Sequence, residues 1–175
     1  MIVIFTGNGK GKTTAALGQM VRAAGRGKDV LMIQFIKGPW RSGEDDSAEK
    51  FTIPDSKFVI RKMGKGFVGI LGDKLPREEH AKAAEKALQF FRDELASGRW
   101  YLIVLDEVNV ALSLGLLKLG DVLDAVRKVP EERLVILTGR GAPPELIELA
   151  DLATEMKEIK HPYADGKIAK EGIEF

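Results

Sequence analysis

The sequence predicts an α/β fold: one domain over residues 1–175, with a mostly parallel sheet of about six strands flanked by helices. Three observations predict it. Short apolar segments alternate with amphipathic ones along the chain, the rhythm of βαβ units with right-handed crossovers. Ile2–Thr6, Tyr101–Leu105 and Leu134–Leu137 are apolar almost throughout, as strands covered on both faces must be. The length, 175 residues, suits a single domain with its own core.

Taken in order, the first strand is Ile2–Thr6, and a helix follows from Lys12 to about Arg26, with Gly25 and Gly27 as stop signals. Val30–Phe35 and Phe58–Arg61 are the next strands. Pro76 opens a helix at its first turn, and Ala81, Ala84, Leu88, Phe91 and Leu95 form one apolar stripe along it. Its charged residues form a solvated face, and His80 is expected at an exposed helix start. After the strand Tyr101–Leu105 come a helix over roughly Gly120–Lys128, the strand Leu134–Leu137 and a helix from Pro143 through Leu146 and Leu149 to Leu152. The last strand is expected at Thr154–Lys160, with His161 in a structural tail and a turn at Asp165-Gly166.

Two segments break the rhythm. Lys37–Lys57 is polar and contains Gly-Pro-Trp-Arg-Ser-Gly. Met63–Lys74 carries Gly64, Gly66, Gly69 and Gly72 among apolar residues. Both are expected as loops, and both follow strands. Ligands of open parallel sheets bind outside the carboxyl ends of strands, so these are candidate binding loops.

Composition excludes several classes of function. Hydrophobic residues are 45% and charged residues 30%, as in a globular protein. Lys and Arg number 27 against 26 Asp and Glu, a net charge of +1 that calls for no nucleic acid. Tyr101–Leu105 is far shorter than the ~20 apolar residues of a membrane span. The absence of cysteine excludes disulfides, a thiolate nucleophile and thiolate-bound zinc or iron–sulfur clusters. With only two histidines, His80 and His161, a multi-histidine metal site is disfavoured. Any redox step must be supplied from outside. The Met-Ile-Val-Ile-Phe start lacks the charged region and long apolar run of a signal peptide, so the expected location is the cytoplasm.

The strongest motif is Thr6-Gly7-Asn8-Gly9-Lys10-Gly11-Lys12-Thr13-Thr14. Its end matches the phosphate-loop pattern G-x-x-x-x-G-K-[ST], whereas Thr6 stands where the first glycine belongs. Gly7, Gly9 and Gly11 let the backbone curl and present N–H groups to an anion. The helix starting near Lys12 points its positive end at the same place. Lys12 can bridge phosphate oxygens, and the Thr13 hydroxyl can ligate Mg²⁺. Lys10 is either a second phosphate contact or a solvated loop lysine. Leu102–Glu107 reads as a Walker B strand: a buried strand delivers Asp106 to its end, where it can serve the Mg²⁺ shell directly or through water. Glu107 can orient a water, complete the metal shell or bind another part of the nucleotide; N-capping is the alternative role for both carboxylates. These motifs specify a P-loop NTPase-like (RecA-like) nucleoside-triphosphate site. They leave open hydrolysis, phosphoryl transfer, adenosyl transfer and a nucleotide-gated binding module.

Residues Gly7–Ala16 also resemble the modified phosphate loop of the P-loop ATP:corrinoid adenosyltransferases. The resemblance continues through Arg22-Ala23-Ala24-Gly25, Gly27-Lys28, Gln34-Phe35-Ile36-Lys37-Gly38, Gly43-Glu44, Leu105-Asp106-Glu107, Thr138-Gly139-Arg140-Gly141, Leu149-Ala150-Asp151 and the tail Lys160-His161 to Gly172–Phe175. It therefore covers essentially the whole chain. It implies that Co(I) of a corrinoid attacks the ribose C5′ of ATP, forming a cobalt–carbon bond and expelling triphosphate. The cobalt is the nucleophile, so the protein orients ATP, stabilises the leaving group and shields Co(I). It further implies ATP reversed relative to ordinary P-loop enzymes, an external electron donor such as a reduced flavoprotein, and a homodimer.

By position, the resemblance assigns Gly7, Asn8, Gly9, Lys10, Gly11, Lys12, Thr13 and Thr14 to the triphosphate. It assigns Thr13, Asp106 and Glu107 to the metal side, and Arg22 and Arg140 to nucleotide contacts. The other readings are a solvated helix-face arginine for Arg22 and a structural turn for Arg140. Phe67 matches the first residue of an aromatic pair, Phe-x-Trp, that presses on the corrin in relatives and displaces its lower axial ligand. Gly69 stands where the Trp belongs, and the other reading of Phe67 is a packed loop residue. Relatives often carry an arm before the first strand; here the Lys37–Lys57 loop or a second subunit is expected to cover the site.

Overall fold

The computed structural model describes residues 1–50, 52–70, 72–161, 170 and 172. The expected Asp165-Gly166 turn and most of the tail motif at 172–175 lie outside these residues. The elements are β1 (Ile2–Thr6), α1 (Lys12–Ala24), β2 (Val30–Gln34), α2 (Gly43–Lys50), β3 (Phe58–Lys62), α3 (Arg77–Ala96), β4 (Leu102–Asp106), α4 (Val108–Ser113), α5 (Leu119–Val126), β5 (Leu134–Thr138), α6 (Pro144–Leu149) and β6 (Leu152–Glu155). The sheet order is β3-β2-β4-β5-β1-β6, and every pairing is parallel. All six strands therefore end on one edge. Among the described residues no helix is long and apolar enough to cross a membrane.

The central strands β2, β4 and β5 are apolar up to their last residue because alternate side chains feed two cores. Ile4, Leu31, Ile33, Ile103, Leu105, Val135 and Leu137 face Ala84, Leu88 and Phe91 of α3 and Val122 and Val126 of α5. Val3, Val30, Met32, Leu102, Val104, Leu134 and Ile136 face Ala16, Met20, Ala23 and Ala24 of α1. Burial of each large aliphatic side chain contributes about 1.5–3 kcal/mol, and this double burial fixes the register of the central strands.

Three local expectations are corrected, and one short helix is added. Lys37–Lys57 contains a helix, α2, that has no buried residue and so no apolar stripe to reveal it. Its start is built from polar chemistry: Asp45 accepts hydrogen bonds from the Ser42 amide and hydroxyl at 2.8 and 2.9 Å, and Glu44, Asp45 and Asp46 fill the first turn. The short α4 fills the turn after β4. The last strand lies at Leu152–Glu155, not Thr154–Lys160, because the chain leaves β1 at Met156 and crosses the loop after it. His80 is only 3% exposed; its Nε2 lies 3.0 Å from Asp73 Oδ2, and Asp73 also accepts the amides of Gly69 and Leu75. A helix-start position does not imply exposure when a neighbouring loop folds over it.

Candidate functional site

The parallel order brings the ends of β1, β2, β4 and β5 together, and each end supplies polar chemistry. After β1 the loop from Gly7 to Gly11 turns into α1, with Gly7 at φ +94° and Gly11 at φ +113°. Only glycine adopts these angles without strain. Lys12 is 7% exposed and folds back over the loop, donating to the carbonyls of Gly7 and Gly9 at 2.9 and 2.7 Å. Its third N–H remains for an anion. Burial lowers its pKa, and Arg140 lowers it further, while Glu107 and Asp106 oppose the shift. Asn8, Lys10 and Thr14 are exposed along the same turn.

Asp106 is the hub. It is fully buried; its Oδ1 accepts the hydroxyls of Thr13 at 2.8 Å and Thr138 at 2.7 Å, and its Oδ2 accepts Gln34 Nε2 at 3.2 Å. Thr138 Oγ1 in turn accepts the amide of Glu107 at 2.9 Å. The end of β4 is thereby clamped to α1, β5 and β2. With its oxygens so engaged, Asp106 chiefly orients Thr13, whose oxygen keeps lone pairs for a cation.

Glu107 stands at φ +61°, one of two non-glycine residues with positive φ among those described. This conformation is uncommon and costs of order 1 kcal/mol. It turns the chain sharply from β4 into α4. Burial raises the Glu107 carboxyl to about 7, with Asp106 adding to the shift and Lys12, Arg140 and Lys37 opposing it. Lys12, Arg140 and Lys37 thus all act on this carboxyl. Arg140 is exposed and follows Gly139, at φ +126°, where a Cβ would lie 3.1 Å from Glu107 Oε2 and 3.0 Å from the Val110 amide. Buried Asn109 donates to the Gly139 carbonyl at 3.3 Å and holds this turn against α4.

Phe67 lies in the loop after β3 and is 49% exposed. It stacks on Trp40, itself 64% exposed, from the loop after β2; the ring centroids are 6.4 Å apart and the planes 26° apart. Gly38 and Gly66 make room for this arrangement: a Cβ on either would meet the Trp40 ring at 2.7 and 2.9 Å. The segment is fastened to β3 by Lys62, which bonds Asp45 and the Trp40 carbonyl.

Lys12, Thr13, Asp106, Glu107 and Arg140 therefore converge, and Phe67 lies on the same sheet edge. Arg22 does not join them. It sits exposed in the last turn of α1, ten residues and roughly 15 Å along the axis from Lys12. Sequence reasoning left Thr138 and Gln34 without roles, although both occur in quoted motifs. It gave Trp40 no role either, and the pairing of two loops distant in sequence had no local signal.

The donors suit Mg²⁺: a hydroxyl and two carboxylates are hard oxygens, and this ion typically takes one or two carboxylates alongside substrate phosphates. The described residues contain no cluster of three or more His, Cys, Asp or Glu that would form an all-protein metal cage.

A family model described as ATP:corrinoid adenosyltransferase BtuR/CobO/CobP matches residues 1–175. The corrinoid adenosyltransferase of Escherichia coli (strain K12) is 37% identical over 175 residues, covering all of this chain and 85% of that protein. The corrinoid adenosyltransferase of Pseudomonas aeruginosa is 39% identical, covering all of this chain and 83% of that protein. Corrinoid adenosyltransferase CobA of Salmonella typhimurium is 37% identical with 85% of its length covered.

Proposed function

The chain belongs to this ATP:corrinoid adenosyltransferase family, and on that premise we propose that it transfers the 5′-deoxyadenosyl group of ATP to Co(I) of a corrinoid in cobalamin synthesis. Co(I) supplies both electrons of the new Co–C bond. The C5′–O bond breaks, and triphosphate leaves with its electron pair. The chain needs no nucleophile of its own.

The observation that carries the reading is the shared edge. A phosphate cradle with Lys12 and Thr13 tied to Asp106 stands on the same carboxyl-end edge of the sheet as two exposed, stacked aromatic rings. In this proposal Gly7 to Thr14 cradle the triphosphate, Lys12 bridges its oxygens and Arg140 adds positive charge. Thr13 and Glu107, with Asp106 behind Thr13, hold Mg²⁺, which neutralises charge on the departing triphosphate. Phe67, with Trp40 against it, faces the corrin. The rings exclude water from the reacting centre, and the cradle places C5′ within reach of it. The enzyme works as a homodimer in the cytoplasm, and a donor such as a reduced flavoprotein supplies the electron that forms Co(I).

The test is anaerobic. Protein, Mg·ATP and Co(I) cobalamin should yield a light-sensitive alkylcobalt spectrum and one inorganic triphosphate per product, and Lys12→Ala should abolish both. ADP as product would instead indicate phosphoryl transfer. Binding of both ligands without a Co–C product would indicate a carrier.

A further inference from the structure

Gln34 is the last residue of β2 and pairs in register with Asp106 on one side and Lys62 on the other. It is fully buried. Its Nε2 lies 3.2 Å from Asp106 Oδ2 and 3.5 Å from Glu44 Oε1, the latter at the outer limit of a hydrogen bond. One amide nitrogen with two hydrogens thus stands between two carboxylates that would otherwise repel. Lys37 pairs with the same Glu44 oxygen. The Gln34 main-chain carbonyl accepts the amides of Met63 and Gly64 at 3.0 and 3.1 Å, where the Phe67 loop begins. Gln34 therefore touches the carboxylate that orients Thr13, the helix that follows Trp40, and the root of the loop carrying Phe67.

A buried amide in this place is costly. Gln34 Oε1 has no partner, one of two such buried side-chain atoms among the described residues. An unsatisfied buried acceptor is unfavourable, and an apolar side chain of the same shape would avoid it. What an apolar side chain cannot do is donate to two carboxylates at once. The amide is rigid and planar, so any displacement of Asp106 would turn the nitrogen and alter the contact to Glu44.

We propose that Gln34 is a positioning residue that registers the Trp40–Phe67 pair against the nucleotide side of the site, through Asp106 on one side and Glu44 on the other. The proposal rests on the adenosyltransferase reading above. It requires that Mg·ATP binding be sensed at Trp40 and that corrinoid use depend on Gln34 more than ATP binding does.

The test follows Trp40 emission, assigned by its loss in Trp40→Phe, while Mg·ATP binding is measured in parallel by calorimetry. In the wild-type protein the emission should change and saturate with the calorimetric Kd. Gln34→Met keeps the volume and removes both donated bonds. It should bind Mg·ATP within about threefold of wild type, lose the emission change, and raise KM for the corrinoid about tenfold or more, equal to at least ~1.4 kcal/mol. Glu44→Gln, outside the core, is the second variant and should also lose the emission change if Gln34→Met does not fold. A merely structural role would lower Tm without separating the two ligands. Binding of Mg·ATP by the wild-type protein with no change at Trp40 overturns this proposal alone, as does a Gln34→Met enzyme with wild-type emission and corrinoid KM. No Mg·ATP binding by the wild-type protein overturns the functional reading and this proposal with it.

Discussion

The amide of Gly9 donates to the carbonyl of Met156 at 2.6 Å, which ties the phosphate loop to the chain leaving β6. The approach is close enough to dictate residue type. A Cβ on Gly9 would lie 2.7 Å from the Met156 carbonyl oxygen and 2.8 Å from the Lys157 carbonyl carbon, and one on Gly7 would lie 2.5 Å from the same Met156 oxygen. The glycines of this loop thus serve two ends: they curl the backbone around an anion, and they admit a neighbouring backbone.

Gly9→Ala is therefore expected to displace the loop, because backbone atoms cannot swing aside as a side-chain tip can. Overpacking of this kind costs about 1–3 kcal/mol, or roughly 5 °C in Tm for a chain of this size. ATP binding should weaken at least about tenfold, by ~1.4 kcal/mol. Gly18→Ala is the control. Nothing lies within 4 Å of its Cβ position in α1, so it should gain about 0.5–1 kcal/mol from helix propensity. Thermal melts with calorimetric titration of Mg·ATP separate the two; equal melting behaviour would refute the packing argument.

The central strands β2, β4 and β5 were legible because each carries its own signal, a run of residues buried on both sides; β6, exposed along its length, carries no such run and was expected two residues too late. The phosphate loop and the carboxylates after β4 were legible because their chemistry is local in sequence. What escaped depends on contacts between distant segments. α2 has no apolar stripe, so its first turn had to be recognised from Ser42 and the acids after it. The burial of His80 depends on Asp73 folding across from the preceding loop. The brace between Gly9 and Met156 joins residues nearly a whole chain apart, and a single sequence contains no trace of it.

Thr138 links Asp106 to Glu107 through one hydroxyl that donates to the first and accepts from the amide of the second. Thr138→Val keeps the shape and leaves a buried carboxylate and a buried amide each short of a partner. The expected cost is about 2 kcal/mol, read from denaturant midpoints. Thr13→Val should lose less stability, because Thr13 is only partly buried, and should lose more Mg·ATP affinity, because its oxygen faces the ligand side. If the two variants behaved alike in both measurements, the division between orienting and ligand-facing hydroxyls would be wrong.

Glu107 should make the nucleotide-free protein sensitive to pH. Its folded pKa is raised from 4.5 to about 7, chiefly by burial. The folded state then holds a proton that the unfolded state has released. The resulting stabilisation is fully present below about 4.5 and is lost as pH rises through 7, with an upper bound of about 3 kcal/mol. Glu107→Gln should flatten that part of the stability profile in urea titrations. In the proposed site Mg·ATP binding ionises this carboxyl, so calorimetry near pH 6.5 in buffers of different ionisation enthalpy should detect proton release. That release should vanish in Glu107→Gln; if it persists, it comes from another group.

Gly69 sits at φ +71° with open space around its Cβ position. The resemblance places a tryptophan there, and a bulky residue at that angle is strained by about 1–2 kcal/mol. The turn is closed by Asp73, which accepts the Gly69 amide at 2.9 Å. Within this loop path, the aromatic partner of Phe67 is Trp40 from the neighbouring loop. Trp40→Ala is therefore expected to raise KM for the corrinoid about tenfold and to leave ATP affinity near wild type, since no hydrogen bond of Lys12, Thr13 or Asp106 involves the ring. Phe67→Ala should do the same, and the double variant should lose less than the sum of the two, because each ring alone has lost its stacking partner. Gly69→Trp should not restore the Trp40→Ala enzyme, because the new side chain must first force the turn out of its left-handed conformation. Full additivity, or rescue by Gly69→Trp, would mean that the two rings act separately and that the loop adapts at no cost.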